Sequence, residues 1–381
     1  MLDTTYRQCT SCVLDTSDSS IRFDTNGVCN YCLNYQTHVK NTIYEGQEGE
    51  EKLLELVERV KKAGRKTEYD CLVGVSGGVD STYLVYLMKQ WGLRPLAMHF
   101  DNGWNSELAV MNITNTLKKL DIDLYTHVVN WEEFKDLQMS YLKASVLDIE
   151  VPTDHGFVAS LYKIAAKHNL KYIFTGHNNV TESVLPSVWY YNKDDATNLL
   201  AIQKRYGSVK LKTFPYYTVA DKFYYQNVLK LRILYPLNFV DYTKKEVKKV
   251  IIKELGWRDY GGKHYESIFT RFYQGYILPT KFNIDKRKAH LSNLICSEQI
   301  TREEALEELD KPIYDSEQLL VDKEFVLKKL GLTDQEFEDI MKLPIKQHTD
   351  FPTNQRIYNF YMSALRRLGP LSNLLKRLGY K

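Results

Sequence analysis

Nine residues, Val73-Gly74-Val75-Ser76-Gly77-Gly78-Val79-Asp80-Ser81, constrain this chain more than any other stretch. They continue from Tyr69-Asp70-Cys71-Leu72-Val73, a short apolar run that reads as a buried parallel strand. They lead into Thr82-Tyr83-Leu84-Val85-Tyr86-Leu87-Met88, which reads as a helix packed on a sheet. Ser76, Gly77 and Gly78 therefore form a strand-to-helix turn. Paired glycines let the backbone bend tightly and bring consecutive N–H groups close to a ligand. With the helix N-terminus, those groups make an anion-binding nest. Ser76 and Ser81 add hydroxyl donors. Asp80 would repel a phosphate directly, so its place is explained by a Mg²⁺ between carboxylate and phosphates. A Walker A loop is excluded, because it needs Gly-Lys-Ser/Thr at the helix start and no lysine lies between Glu68 and Lys89.

Four more apolar runs follow: Arg94–Phe100, Asp123–Val129, Lys171–Phe174 and Leu231–Leu237. Helical patterns separate them, over Ser106–Leu120, Trp131–Ser145, a stretch opened by Pro152-Thr153-Asp154 and capped by Thr153 or Asp154, and Thr243–Leu255 with Gly256 as its C-cap. Strands alternating with helices predict an α/β fold with a doubly wound parallel sheet. Ligands of such sheets gather at the carboxyl ends of the strands. That rule places Asp101, which ends the second strand, and Thr175-Gly176-His177-Asn178, which ends the fourth, at the same edge as the glycine loop. Gly176 suits close backbone approach. His177 and Glu182 are expected to reach phosphates, a Mg²⁺ or the substrate.

Near the N-terminus, Cys9-x₂-Cys12 and Cys29-x₂-Cys32 stand sixteen residues apart, enough for a small hairpin turning at Asn26-Gly27. Four thiols in two knuckles read as a closed, structural zinc site. Disulfides and an iron–sulfur cluster are the alternatives. Cys71 and Cys296 stand alone and read as core residues.

No apolar run in the 381 residues is long enough to span a membrane, and Met1-Leu2-Asp3-Thr4 carries no signal peptide, so a cytoplasmic protein is expected. A net charge of +3 does not by itself argue for nucleic acid. Between Lys204 and Lys263, 14 Lys/Arg face 5 Asp/Glu, which reads either as solvated helix faces or as a positive rim around an anionic substrate. The aromatic-rich segment 183–230 reads as a helical insertion with its own core, or as a platform for a sugar or nucleobase. Beyond Trp257, Gly261-Gly262-Lys263-His264-Tyr265-Glu266 is too costly for a helix and suggests a site loop. The rest reads as helices, with capping boxes at Thr301-x-x-Glu304 and Thr333-x-x-Glu336. The expected domains are a zinc-knuckle module (1–45), a nucleotide domain (46–256) and a mostly helical substrate region (257–381).

The string Ser-Gly-Gly-Val-Asp-Ser resembles the pyrophosphate loop (PP-loop) of the ATP pyrophosphatases, which include GMP synthetase, NAD synthetase, asparagine synthetase and tRNA thiolases. The resemblance implies their adenine nucleotide α-hydrolase fold and cleavage of ATP between its α and β phosphates. It implies that Gly74, Val75, Ser76, Gly77, Gly78, Asp80 and Ser81 hold pyrophosphate, with Asp80 on Mg²⁺. It implies that Met98, Phe100 and Asp101 flank adenine and ribose, and that Thr175 and Gly176 lie over ATP. With the zinc knuckles and the segment from Gly261 to Glu266 added, most of the chain, more firmly up to about residue 295, resembles the N-acetyl sugar amidotransferases of bacterial surface-polysaccharide biosynthesis. Those enzymes imply a nucleotide-linked N-acetyl sugar whose amide is adenylated and then attacked by ammonia, giving an acetamidino sugar. Lys263, His264, Glu266 and His177 become expected catalytic residues, and Arg271, Lys281 and Arg287 expected phosphate ligands. The chain shows no glutaminase motif, so a separate ammonia-supplying partner is implied, like the glutaminase–cyclase pair of histidine biosynthesis. The runner-up is a tRNA thiolase, against which the unpaired Cys71 and Cys296 argue. A nucleotide-binding regulatory subunit is a third reading.

Overall fold

The computed structural model describes residues 6–262, 265–360 and 363. A cysteine-rich module comes first and includes the short helix α1 (Asn30–Asn34). Helix α2 (Gly46–Gly64) follows and buries Leu53, Leu56, Val57 and Val60, the stripe its sequence spacing predicts. The α/β part is then built from β1 (Cys71–Gly74), α3 (Val79–Gln90), β2 (Pro95–Asp101), α4 (Glu107–Leu120), β3 (Leu124–Val128), α5 (Trp131–Ala144), α6 (Val151–Lys167), β4 (Tyr172–Phe174), α7 (Asn179–Glu182), α8 (Ala196–Tyr206), α9 (Val219–Phe223), β5 (Arg232–Leu234) and α10 (Lys244–Leu255). Helices α11 (Ile268–Phe272), α12 (Leu278–Phe282), α13 (Arg287–Cys296), α14 (Arg302–Asp310), α15 (Ser316–Leu330) and α16 (Asp334–Lys342) follow.

The five strands form one sheet in the order β3-β2-β1-β4-β5, and every pairing is parallel. Alternation along the strands explains the double winding. Leu72, Leu96, Met98 and Ile173 pack in one core with α5, α6 and α8. Cys71, Val73, Ala97 and Phe174 pack in a second core with α2, α3, α4 and α10. Burying each of the Leu, Ile, Val, Met and Phe side chains among them contributes about 1.5–3 kcal/mol, so a one-residue slip of register would be heavily penalised. Strand order reverses between β1 and β4. The crevice of a doubly wound sheet lies at that switch point.

Two expectations are corrected here. Helix α6 starts at Val151 with Pro152 in its first turn, after Glu150, which makes no side-chain cap, so Thr153 and Asp154 lie inside the helix. Proline's fixed φ is pre-set for that position. Nor does the aromatic insertion own a core. Trp189, Leu199, Ile202, Phe214 and Tyr217 join the core that β1, β2 and β4 bury. Phe269, Phe272, Tyr273 and Phe337 of the C-terminal helices join it too. The capping boxes at Thr301/Glu304 and Thr333/Glu336 are present, and Gly256 closes α10 with φ +68°.

Candidate functional site

The glycine loop leaves β1 and caps α3, with Gly78 as the N-cap. Gly77 has φ +82°, and a Cβ there would lie 2.7 Å from the Ala109 carbonyl oxygen. Its own carbonyl accepts the Trp257 Nε1–H at 2.9 Å, which pins the loop from behind. The serines organise its front. The Gly78 amide donates to Ser76 Oγ at 3.3 Å, and the Ser76 amide to Ser81 Oγ at 3.3 Å. Gly176, after β4, crosses directly over this turn. A Cβ at Gly176 would stand 2.7 Å from the Ser81 amide nitrogen and 2.9 Å from the Asp80 carbonyl carbon, so only glycine fits.

The two loops open into a cavity of about 1170 Å³. Its polar lining near the loop is Ser76, Asp80, Ser81, Thr175, His177, Glu182, Tyr260 and Glu266. Thr175 Oγ1 is buried and has no hydrogen-bond partner among the described residues. The His177 imidazole meets Glu182 at 2.6 Å and stands edge-on to Tyr235, with centroids 5.3 Å apart. The buried Tyr242 hydroxyl donates to Asp80 Oδ1. Burial, then the Asp80 charge, pushes that phenol far above its usual 10, so it stays a donor. Tyr260 is raised in the same way by burial, then by Glu266 and Asp80.

Helix α13 forms another wall, through Ala289, His290, Leu291, Asn293 and Leu294. Asn293 is its clamp. Its Oδ1 accepts from the Ser183 and Val184 amides at 2.8 and 2.7 Å, and its Nδ2 donates to the Val184 carbonyl at 2.9 Å. The segment that carries His177 and Glu182 is thereby tied to the C-terminal helices.

Of the residues expected from sequence, Gly74, Ser76, Gly78, Asp80, Ser81, Thr175, Gly176, His177, Glu182, Glu266, Arg271 and Arg287 line this one cavity. Val75 and Gly77 lie behind the loop. Met98 is fully buried in the core, and Phe100 is buried and stacks on His127 with centroids 5.7 Å apart, so neither faces the cavity. Asp101 accepts from the Gly103 amide at 2.9 Å and also lies off the cavity. The reason is coverage: the Ser106 amide donates to the Glu266 carbonyl at 2.8 Å and the Ile268 amide to Trp104 O at 2.9 Å, so residues 266–268 run over the end of β2. Lys281 is a further correction. Its Nζ donates to the Ile340 carbonyl at 2.7 Å away from the cavity, and burial pulls its pKa down to about 8. Arg271 is bound through two donors to Asp322, at 2.5 and 2.8 Å. Arg287 holds Asp285 and the carbonyls of Glu308, Leu309 and Lys311. Lys263 and His264 lie outside the described residues. The basic stretch contributes Lys244 and Lys248 to the lining, but Asp154, Glu304 and Glu308 face the same space, so no simple positive rim exists. Sequence reading takes Trp257, Tyr260 and Lys286 only as members of stretches dense in functional side chains, with no role for each, and it missed Tyr242 and Asn293, which are single residues without a motif.

Cys9, Cys12, Cys29 and Cys32 are buried, and their sulfurs converge within 4.8 Å of one another. Cys9 and Cys32 stand 4.0 Å apart, and Cys12 and Cys29 3.7 Å. A tetrahedral site with zinc–sulfur bonds of about 2.3 Å has edges of about 3.8 Å, so the donor set fits zinc. Backbone amides of Cys12 and Cys29 point at Cys9 Sγ from 3.4 and 3.2 Å, as suits a thiolate. The module sits on α13 and α14. Arg302 donates to the carbonyls of Cys12 and Cys9 at 3.1 Å each, and the Val13 amide to Ser292 Oγ at 3.3 Å.

Residues 266–366 match the family described as LPS biosynthesis protein WbpG-like, C-terminal domain. Over 241 residues the chain is 23% identical to the tRNA-specific 2-thiouridylase MnmA of Clostridioides difficile, covering 56% of this chain and 63% of that protein. It is 25% identical over 191 residues to the tRNA-specific 2-thiouridylase MnmA 2 of Fusobacterium nucleatum, covering 48% and 50%. The chain thus spans between half and two-thirds of the length of these curated relatives. Among solved structures, NMN synthetase from Francisella tularensis aligns with a TM-score of 0.36 at 15% identity, covering 79% of this chain and 99% of that one. NH3-dependent NAD synthetase from Campylobacter jejuni aligns with a TM-score of 0.29 at 14% identity, covering 53% and 83%.

Proposed function

We propose that this chain, a PP-loop ATP pyrophosphatase whose C-terminal part is like that of the WbpG-type LPS biosynthesis proteins, is an amidotransferase acting on a nucleotide-linked N-acetyl sugar. One observation carries the reading: the Ser-Gly-Gly-Val-Asp-Ser loop opens into a cavity whose opposite wall comes from the WbpG-like region. That volume exceeds the usual 300–1,000 Å³ of a single small-molecule site, leaving room for a second substrate beside ATP.

The residues fit ATP. The glycine loop and the first turn of α3 offer amides, Gly176 permits close approach, and Thr175 Oγ1 is a buried hydroxyl in want of a partner. Asp80, oriented by Tyr242, would hold Mg²⁺, which neutralises charge on the departing pyrophosphate. The amide oxygen of the acetamido group attacks the α-phosphorus, and pyrophosphate leaves. Adenylation turns a poor leaving group into a good one. Ammonia then adds to the imidate carbon, and AMP departs with the oxygen. The chain's task is to hold amide and ATP in line and to shield them from water. Glu266 orients the amide and the ammonia, and the His177–Glu182 pair stands ready at the phosphates.

The similarity to 2-thiouridylases favours tRNA thiolation as a second reading. The cysteines oppose it. None lines the cavity; Cys71 is sealed inside β1 and Cys296 packs its sulfur 3.8 Å from Cys32. The discriminating test follows AMP and pyrophosphate with acetamido sugar nucleotides plus ammonium, against bulk tRNA plus a sulfur donor. Amidine formation supports the first reading, and thiolated tRNA alone replaces it with the second.

A further inference from the structure

We infer that Cys32 and Cys296 form a peroxide-sensitive pair at the zinc site: oxidation joins their sulfurs in a disulfide and withdraws one of the four zinc ligands. The pair works whatever the substrate of the cavity, so it stands apart from the reaction proposed above.

Two helices far apart in sequence bring the sulfurs together. Cys32 lies in α1, and Cys296 is the last residue of α13. Their Sγ atoms stand 3.8 Å apart across a separation of 264 residues. The zinc ligands face one another at the same range, 3.7 Å for Cys12 and Cys29 and 4.0 Å for Cys9 and Cys32. Cys296 is nonetheless outside the converging set of four. A tetrahedral structural zinc site has no place for a fifth sulfur. Bonded sulfurs stand about 2.05 Å apart, so Cys32 and Cys296 have less than about 2 Å to close.

Access and hydrogen bonding select the same two residues. Cys9, Cys12 and Cys29 are fully buried, whereas Cys32 and Cys296 keep 3% and 9% exposure. Cys9 Sγ takes the amides of Ser11, Cys12 and Cys29 at 3.4, 3.4 and 3.2 Å, and Cys12 Sγ takes that of Leu14 at 3.5 Å. Such donors stabilise a thiolate and blunt its attack on an oxidant. Cys32 Sγ takes no amide among the described residues and meets only sulfur, of Cys9 and of Cys296.

The step balances with hydrogen peroxide as the oxidant. One sulfur of the pair attacks a peroxide oxygen, the O–O bond breaks, and a sulfenic acid and one water result. The other sulfur attacks the sulfenic sulfur, the S–S bond forms, and the oxygen leaves as a second water. Two electrons pass from the sulfur pair to the peroxide. The Cys296 thiol proton and one proton from solvent complete the two waters. Only Cys9, Cys12 and Cys29 then remain to hold the metal. Helix α13 carries the consequence inward. Asn293, one turn before Cys296, clamps Ser183 and Val184 at the cavity wall, and Ser292 beside it takes the Val13 amide.

The test exposes reduced, zinc-loaded protein to hydrogen peroxide. A chromogenic chelator follows zinc release, and tandem mass spectrometry maps the cysteine links. Wild type should release about one zinc per chain as a Cys32–Cys296 link appears, and a thiol reductant with added zinc should reverse both. Cys296→Ser and Cys296→Ala should load zinc and melt like wild type, yet release the metal about tenfold or more slowly. Should neither variant fold, the link mapped in wild type decides alone. Release at the wild-type rate from a folded variant overturns the pair. So does a link confined to Cys9, Cys12, Cys29 and Cys32, or zinc loss with no link. Wild type that keeps its zinc under peroxide, or carries none to begin with, overturns it as well.

Discussion

Asp80 is where a recognisable motif meets residues that no motif announces. Its carboxylate takes the Tyr242 hydroxyl, and Tyr242 is in turn fixed through its carbonyl by Gln299 at 3.4 Å. Asp80→Ala should abolish AMP and pyrophosphate formation while leaving the fold intact. Tyr242→Phe should keep turnover at saturating Mg²⁺ but raise the half-saturating Mg²⁺ about tenfold, as expected for losing a hydrogen bond to a charged group of roughly 1.5 kcal/mol. Equal Mg²⁺ dependence in the two proteins would refute the positioning role. Asp80 was legible in the sequence because strand, glycine pair, acid and helix are contiguous. Tyr242 was not, being one of 28 tyrosines and 162 residues distant. A second residue-scale prediction concerns acid. His348 is buried, stacks on Tyr191 with centroids 4.1 Å apart, and pairs with Asn198 Oδ1 at 3.0 Å. Burial drags its pKa from 6.5 to about 4. The unfolded chain therefore takes up a proton that the folded one refuses. Stability should be full above pH 6.5 and fall as the pH drops from there toward 4, by about 3 kcal/mol from this residue. Between pH 7 and pH 4.5 the urea midpoint of wild type should fall further than that of His348→Phe. Parallel profiles would show that another group carries the acid sensitivity.

At the scale of elements, periodicity served well wherever one face of an element is buried. The five parallel strands, the α2 stripe and the two capping boxes formed as read, because each is decided by residues within a few positions of one another. What failed was decided at long range. The end of β2 looked available to a nucleotide, but residues 266–268 return over it. The insertion looked self-sufficient, yet Trp189 and Phe214 complete a core begun by the sheet. The four-cysteine module shows how such coupling matters. It rests on α13, the wall that carries Asn293, His290 and Lys286, and Arg302 holds its knuckle carbonyls. Purified protein should carry about one zinc per chain. Cys9→Ser should lose it and lower the melting temperature by at least ~5 °C, since metal binding here is folding free energy at roughly 2 °C per kcal/mol or more. Elemental analysis and calorimetry give the answer. A zinc-free protein of unchanged stability would remove the structural role.

At the scale of the molecule, the proposed reaction needs ammonia as its nucleophile, and the source of that ammonia is where the proposal is tested. No helix among the described residues is long and apolar enough to cross a membrane, and no cysteine is among the residues that line the cavity. Ammonia near pH 7 is almost all NH₄⁺, whose lone pair is occupied. The isolated chain should therefore form the amidine from ATP, an acetamido sugar nucleotide and added ammonium salt, with a rate that climbs with pH as NH₃ replaces NH₄⁺. Glutamine alone should support little reaction. Adding a glutaminase subunit should make glutamine the better donor at neutral pH, because NH₃ handed over inside a closed complex avoids protonation in bulk water. Mass spectrometry of the sugar product, with each nitrogen source and with or without the added subunit, decides the matter. Glutamine-driven product from this chain by itself would refute the need for a partner, and a rate indifferent to pH under ammonium would refute free NH₃ as the attacking species.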